Sequence, residues 1–335
     1  MLGMERKLEV DFVICGVEVD ERYEGPLISV AKCKVEYGEE RLANCIHIQY
    51  LVSVASDTML SEQDYINRVF LEEVSLFLQS LSLLLARPSH LISHETRLDG
   101  VKVKLKLPPR EVPVGLYNLV AMWNRHPPIQ IQRYSSLVHS DGWPLLESLV
   151  SEFRNRPVEL RKQLALPLRW FAKGSDEMSS LDRLVAYWIS FNSLYEDSIK
   201  REQAAIKSYL QRSVDSVIAQ RYVESNERFL LHLSSLQIEL GHGSKKRGIT
   251  QELSGLLKAG KRDYITIVKT IALTIYSIRN NLFHGAYDPH SEDDQKHIEI
   301  ADCLLSRLLK EIIAKQILGY PLPTTKFVTQ EKMGF

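Results

Sequence analysis

Cysteine is scarce in this sequence, and its four cysteines, Cys15, Cys33, Cys45 and Cys303, show no C-x-x-C spacing. Zinc sites and thiol redox sites need paired cysteines at such spacings, so buried reduced thiols are the expected state. The histidines also lack metal-ligand spacing, and no phosphate-binding or dinucleotide-binding glycine motif occurs. We therefore expect neither a metal nor a cofactor.

Long hydrophobic runs are also missing. The longest, residues 74–86, contains four serine and glutamine residues and is shorter than the roughly 20 residues that a membrane span needs. Residues 1–7 lead into a strand-like pattern instead of the apolar segment of a signal peptide. These absences predict a cytoplasmic protein with no membrane partner.

The chain has no net charge, which argues against a general nucleic-acid coat protein. Its charge is unevenly distributed, because twelve Lys and Arg face six Asp and Glu between Lys200 and Arg262. Part of the excess lies in a glycine-flanked segment with Lys245, Lys246 and Arg247. These three residues are candidate contacts to an RNA backbone, although a solvated linker is the better explanation of them.

The N-terminal part shows the two-residue hydrophobic period of half-buried strands. Alternation in residues 8–14, 28–36, 44–54 and 101–107 predicts four strands, the last of them an edge strand with lysines on its open face. In residues 61–86, the spacing of hydrophobic residues becomes that of a helix. We predict an N-terminal mixed α/β module with a mainly antiparallel sheet over residues 1–142.

Helical patterns dominate the rest of the chain. They predict an all-α helical bundle over residues 143–318, followed by an extended C-terminal tail over residues 319–335. Within the bundle, residues 221–240 are predicted as one helix, and an acidic segment precedes a final helix that ends at about Ile317. The predicted fold class is therefore α+β, with two domains of ordinary size.

The segment from Ser277 to Gly285 combines three reactive side chains within six residues. Arg279 presents a flat fork of donors suited to phosphate, and His284 can exchange a proton near neutral pH. Together with Asn280, they are sufficient to cleave a phosphodiester without a metal. Gly285 is predicted to cap the C-terminal end of the helix and to place His284 in its last turn.

This segment resembles the R-x4-6-H motif of the HEPN superfamily, including the polar residue after the arginine. A second similarity is the apolar and aromatic helix over residues 181–195, which resembles an early helix of Apea-like HEPN domains. That family helix often carries a Glu, where this chain has Asn192 and, one turn later, Glu196. The resemblance covers residues 157–316, and the N-terminal module resembles no known family.

The resemblance implies a metal-independent endoribonuclease, a nuclease of prokaryotic anti-phage or toxin-like defence. It implies that the helical domain forms a homodimer, so that two Arg279/His284 pairs line one cleft. The 2′-hydroxyl of single-stranded RNA would attack the adjacent phosphorus. His284 would move protons, Arg279 would hold the phosphate oxygens, and Asn280 would orient the phosphate or the histidine. The N-terminal module would be a sensor or regulatory part that detects a phage-derived trigger.

Two other interpretations fit the same residues. A non-catalytic HEPN scaffold would use the motif to bind RNA, a nucleotide or a partner protein. A purely structural motif would have His284 capping the helix and Arg279 paired with an acid such as Glu196 or Asp197. The aromatic helix has two interpretations as well, a base-stacking platform or a packed core, and its shared apolar residues favour the core.

Overall fold

A computed structural model describes most of the chain in two compact units. The described residues are 5–15, 17–37, 41–55, 62–85, 90–103, 134–177, 179–195, 202–240, 247–259, 262–288, 290–323 and 328–332. One unit contains residues up to Arg156 together with those from Pro323 onward, and the other contains Pro157–Leu322.

Strands are concentrated in the first unit. The described strands are β1 (Glu5–Cys15), β2 (Val17–Val19), β3 (Tyr23–Glu24), β4 (Ile28–Tyr37), β5 (Arg41–Ala55), β6 (His90–Leu98), β7 (Val101–Val103), β8 (Tyr134–Val138), β9 (Glu239–Leu240), β10 (Arg247–Gly248) and β11 (Val328–Lys332). One sheet has the order β3-β4-β5-β1-β6-β7, and all its neighbouring strands are antiparallel. This confirms the α+β class and the mainly antiparallel sheet, and β7, the described part of the strand predicted over residues 101–107, is at the edge of the sheet formed by the described strands.

A second, smaller sheet of the first unit has the order β11-β8-β2. Strand β2 is parallel to β8, whereas β11 is antiparallel to it, from the pair Val328–Val138 to the pair Lys332–Tyr134. The C-terminal tail predicted over residues 319–335 therefore includes β11, a strand of this sheet. Its backbone groups are bonded to β8, and the alternating backbone of a strand has few other ways to satisfy them.

Helices fill most of the second unit. The described helices are α1 (Glu62–Leu84), α2 (Gly142–Asn155), α3 (Val158–Asp176), α4 (Ser180–Asn192), α5 (Glu202–Ser213), α6 (Ser216–Ser225), α7 (Glu227–Ser235), α8 (Ile249–Lys258), α9 (Tyr264–Phe283) and α10 (Glu292–Leu318). Only α1 and α2 belong to the first unit. No helix in the described ranges is both long and apolar enough to cross a membrane.

Alternation along β1 explains the core of the first unit. Leu8, Val10, Phe12 and Ile14 are fully or almost fully buried on one face of the sheet, because successive side chains of a strand point to opposite faces. Helix α1 packs on this face, and the ring of Phe77 lies 5.1 Å from that of Phe12. The helical period predicted for residues 61–86 is thus confirmed as α1.

Helix α2 is tied to the sheet by one buried carboxylate. Glu147 is only 8% exposed, and its Oε1 accepts hydrogen bonds from the backbone N–H groups of Leu27 at 2.9 Å and Ile28 at 2.7 Å. Its Oε2 accepts from the Tyr23 hydroxyl at 2.8 Å. A Cβ atom at Gly25 would collide with this carboxylate and with the Tyr23 hydroxyl, so a larger residue there would displace these two side chains. Three donors thus converge on one side chain.

Replacement of Glu147 by glutamine is expected to lower the free energy of unfolding of the first unit by about 1–3 kcal/mol. The amide oxygen would still accept from the backbone N–H groups, but the charge that strengthens these bonds would be lost, and the amide NH2 would face the Tyr23 hydroxyl, which now donates to this side chain. Urea denaturation measures the change, and Glu152→Gln on the same helix is the matched control. Equal stability of the two variants would contradict the assigned role.

Because α2 belongs to the first unit, the boundary between the two units differs from the one that the sequence predicted. The sequence predicted that the helical domain begins at residue 143, whereas the structure groups α2 with the first unit and divides the chain after Arg156. The reason is that the apolar face of α2, including Trp143 and Leu146, is buried within this unit. Arg154 adds an ion pair to Glu73 of α1.

The single helix predicted for residues 221–240 is two helices and a short strand. Helices α6 and α7 are separated by Asn226, whose backbone has φ −115° and ψ 10°. Its side-chain amide donates to the carbonyl of Tyr222, and its Oδ1 accepts from Arg307 of α10. Asparagine competes with the helical backbone for hydrogen bonds, so it ends a helix where such a partner exists.

Candidate functional site

Helix α9 positions the motif at its C-terminal end. Asp263 caps the N-terminal end by accepting from the backbone N–H of Thr266 at 3.1 Å. Most side chains from Ile267 to Ile278 are buried, which is the pattern of a central helix in a bundle. Exposure begins with the motif, since Arg279 and Asn280 are partly exposed and His284 is exposed. The packed part of α9 therefore fixes where the motif reaches the surface.

The predicted cap is confirmed. Gly285 has a φ of +70°, in the left-handed region that glycine adopts without strain, and His284 is the C-cap residue that directly follows Phe283, the last residue of α9. The backbone N–H of Gly285 donates to Leu282, and that of Ala286 donates to Asn281 at 2.8 Å. These bonds satisfy carbonyl groups of the last turn and turn the chain away from the helix axis.

Arg279 lies between two aromatic rings. Its guanidinium carbon is 5.7 Å from the centre of the Trp188 ring on α4 and 4.8 Å from that of Phe283 on α9. Its Nη1 donates to Oδ1 of Asn280 at 2.8 Å, whereas its Nε is buried without a hydrogen-bond partner. Stacking and one hydrogen bond thus hold the guanidinium without neutralising its charge.

No carboxylate within the described ranges lies at ion-pair distance from Arg279. Glu196 and Asp197, which the structural interpretation would pair with it, lie outside those ranges. The charge of Arg279 nevertheless reaches Tyr195, which also hydrogen-bonds Glu202 of α5 at 3.5 Å. Burial and Glu202 raise the pKa of Tyr195, and Arg279 opposes that rise. Sequence reasoning missed Glu202, because nothing in its spacing connects α5 to the motif.

His284 differs from Arg279 in having no contact that orients its ring. Among the described residues, no hydrogen bond, ion pair or ring contact involves its exposed side chain. The structure therefore brings Arg279 and Asn280 together but does not bring His284 to them. For Arg279, helix geometry gives the reason, since residues five apart differ by about 140° around the axis.

The remaining predicted residues have different outcomes. Tyr187, Trp188, Phe191 and Tyr195 are buried, which confirms the core interpretation of the aromatic helix. Lys245 and Lys246 lie outside the described residues, and of Arg247 only the backbone is described, paired with Leu240 in the hairpin of β9 and β10. Within the described part of the chain, no group of three or more His, Cys, Asp and Glu is arranged to hold a metal ion.

A scan with protein-family models gives no match for this chain, and searches of curated proteins and of solved structures give none either. What the site can do is therefore inferred from its own residues.

Replacement of Gly285 by alanine is expected to destabilise the helical unit by about 1 kcal/mol. The cost comes from the backbone alone, because a Cβ atom at this position would meet nothing within 4 Å while φ is +70°. Gly255→Ala is the matched control, since its Cβ atom also meets nothing but Gly255 is inside helix α8, where alanine stabilises. Chemical denaturation should give opposite signs for the two variants, and equal signs would contradict the cap.

Proposed function

We propose that this protein is a metal-independent endoribonuclease of the HEPN type that cleaves single-stranded RNA. The 2′-hydroxyl of the substrate attacks the adjacent phosphorus, and the products carry a 2′,3′-cyclic phosphate. Arg279 binds the phosphate oxygens, His284 transfers protons, and Asn280 holds Arg279 through their hydrogen bond. By the same resemblance, the biological role is anti-phage or toxin-like defence, with the N-terminal module responding to a phage-derived trigger.

One observation supports this proposal most directly. The guanidinium of Arg279 is fixed by Trp188, Phe283 and Asn280 but has no acid partner within the described ranges. An arginine that is held in place and not neutralised is suited to a phosphate, because a phosphate then supplies the missing negative charge. The exposed His284 at the same helix end supplies a group that transfers protons.

A homodimer would bring together Arg279 and His284, which a single helix holds apart. Arg279 and His284 of one chain point in different directions, so a single copy does not place both on one phosphate. Two copies that meet at the ends of their α9 helices would place Arg279 of one beside His284 of the other. The proposal therefore includes a dimer through the helical unit, in which the site is incomplete without the second copy.

A non-catalytic scaffold is the second candidate, and the state of His284 favours it. General acid and base groups are usually oriented by a neighbouring hydrogen bond, and no described side chain supplies one to His284. In that case, Arg279 binds phosphate in RNA or in a nucleotide and no bond is broken. Loss of either residue would then change binding alone.

Cleavage of a labelled single-stranded RNA in the presence of EDTA separates the two candidates. The proposed enzyme should produce 2′,3′-cyclic phosphate ends and should spare a substrate with 2′-deoxyribose at the cleavage site, which lacks the nucleophile. If the purified protein is inactive, the assay is repeated in extract of phage-infected cells, which contains the trigger. Inactivity there, together with Arg279-dependent binding of RNA, would identify the scaffold.

A further inference from the structure

Phe283 is the most exposed aromatic side chain of the described residues. It is 56% exposed, compared with 49% for Tyr320 and 37% for Phe229. A single exposed apolar residue is common on protein surfaces and means little by itself. Phe283 differs from such a residue because it is part of the motif, directly before the exposed His284.

The ring of Phe283 is also stacked on the residue that binds phosphate in the proposed function. Arg279 lies 4.8 Å from its centre, and Trp188 covers Arg279 further inside. Arg279 thus contacts one ring in the core, at Trp188, and one ring at the surface, at Phe283. Trp188 is buried, so only the Phe283 ring is open to a further aromatic group.

We propose that Phe283 is a base-stacking residue that binds one unpaired nucleobase of the RNA substrate. This inference rests on the proposed function, since the base is brought there by the phosphate at Arg279. The guanidinium of Arg279 is only 4.8 Å from the centre of the Phe283 ring, so the phosphate and the stacked base belong to the same or to neighbouring nucleotides.

Base stacking at Phe283 explains a preference for single strands. The bases of a duplex are already stacked on each other, whereas unpaired bases are free to stack on an aromatic side chain. Every base has an aromatic face, so this contact adds affinity with little sequence preference. The substrate class is therefore unpaired RNA of mixed sequence.

The chain contains a matched control for this residue. Phe229 on α7 is also exposed, and Arg307 lies 4.8 Å from its ring, the same distance as in the Arg279–Phe283 pair. Arg307 donates to Asn226, just as Arg279 donates to Asn280. Phe229→Leu therefore removes an equivalent exposed ring from an equivalent arginine, but outside the motif.

The test is fluorescence anisotropy of a dye-labelled 2′-O-methyl oligouridylate, which lacks the nucleophile and is not cleaved. Phe283→Leu in the full chain is expected to weaken binding by about 5- to 140-fold, equivalent to 1–3 kcal/mol per stacked base. Phe229→Leu should bind as the wild type does. On an oligonucleotide of abasic sites, the difference between Phe283→Leu and wild type should disappear.

Three other results would overturn the inference. Wild-type affinity of Phe283→Leu, with weak binding by Arg279→Ala, would remove the stacking role and leave the proposed function intact. Loss of the dimer in Phe283→Leu at unchanged RNA affinity would make the ring a contact between two copies. Absence of RNA binding by the wild-type protein would overturn both the inference and the proposed function.

Discussion

Alanine in place of His284 is expected to lower the rate of RNA cleavage by about 10²- to 10⁴-fold, the usual contribution of a group that transfers protons. Protein stability should be unchanged, because the His284 side chain is exposed and has no contact with the other described residues. His290→Ala is the matched control, since His290 is an exposed histidine close in sequence but outside the motif. Cleavage rates from single-turnover assays measure the effect. Equal rates in the two variants would place proton transfer elsewhere.

Arg279→Ala should be compared with the conservative variant Arg279→Lys. Arg279→Lys keeps the positive charge but loses the planar fork and much of the stacking on Trp188 and Phe283. We therefore expect it to rescue phosphate binding only in part. A lysine variant as active as the wild type would show that charge alone is required, and Asn280 would then have no role in holding the guanidinium.

Replacement of Arg183 should give a large loss of stability in the helical unit. Its guanidinium contacts Asp302 of α10 at 2.7 Å, and Asp302 is only 7% exposed. Removal of the arginine leaves a buried carboxylate without its partner, which typically costs 3–5 kcal/mol. Arg183→Met should therefore lower the free energy of unfolding by about that amount at pH 7.5. The double variant Arg183→Met with Asp302→Asn should recover part of it, because no buried charge then remains.

The same pair predicts a dependence of stability on pH. Burial raises the pKa of Asp302 to about 6 even though Arg183 opposes the rise, whereas the unfolded chain has a pKa near 3.8. The folded state therefore binds more protons between pH 4 and pH 6, and the contribution of Asp302 to stability falls as the pH rises through this window.

Asp302→Asn isolates this contribution, because every other acid titrates in both proteins. The free energy of unfolding of the wild type minus that of Asp302→Asn should decline from about pH 4 to pH 6 and stay constant above pH 6. A difference that is constant over the whole range would show that burial does not shift the pKa of Asp302.

Sequence patterns correctly predicted the helices and strands that are determined by residues close together in the chain. Strand β1 follows from alternation alone, and the end of α9 follows from Gly285, since few other residues accept a positive φ without strain. The break at Asn226 was not predictable in this way. Its side chain ends a helix only because Arg307, far away in sequence, supplies a partner.

The candidate site shows the same division between local and long-range information. Residue types and spacing were sufficient to select Arg279, Asn280 and His284, which are close in sequence. The position of Trp188 against Arg279 depends on how α4 packs on α9, and the position of Glu202 near Tyr195 depends on α5. Such contacts between helices leave no periodic signal in the sequence. The stack that fixes the guanidinium was therefore visible only in three dimensions.

The pairing of β11 with β8 has a consequence for biosynthesis. The helical unit is an insertion in the sequence of the first unit, because residues on both of its sides belong to that unit. The ribosome therefore synthesises all the helices from α3 to α10 before it synthesises β11, the strand that pairs with β8. Until then, no described strand covers this edge of β8, and other chains can pair with it. The smaller sheet is completed last, although most of its unit is synthesised first.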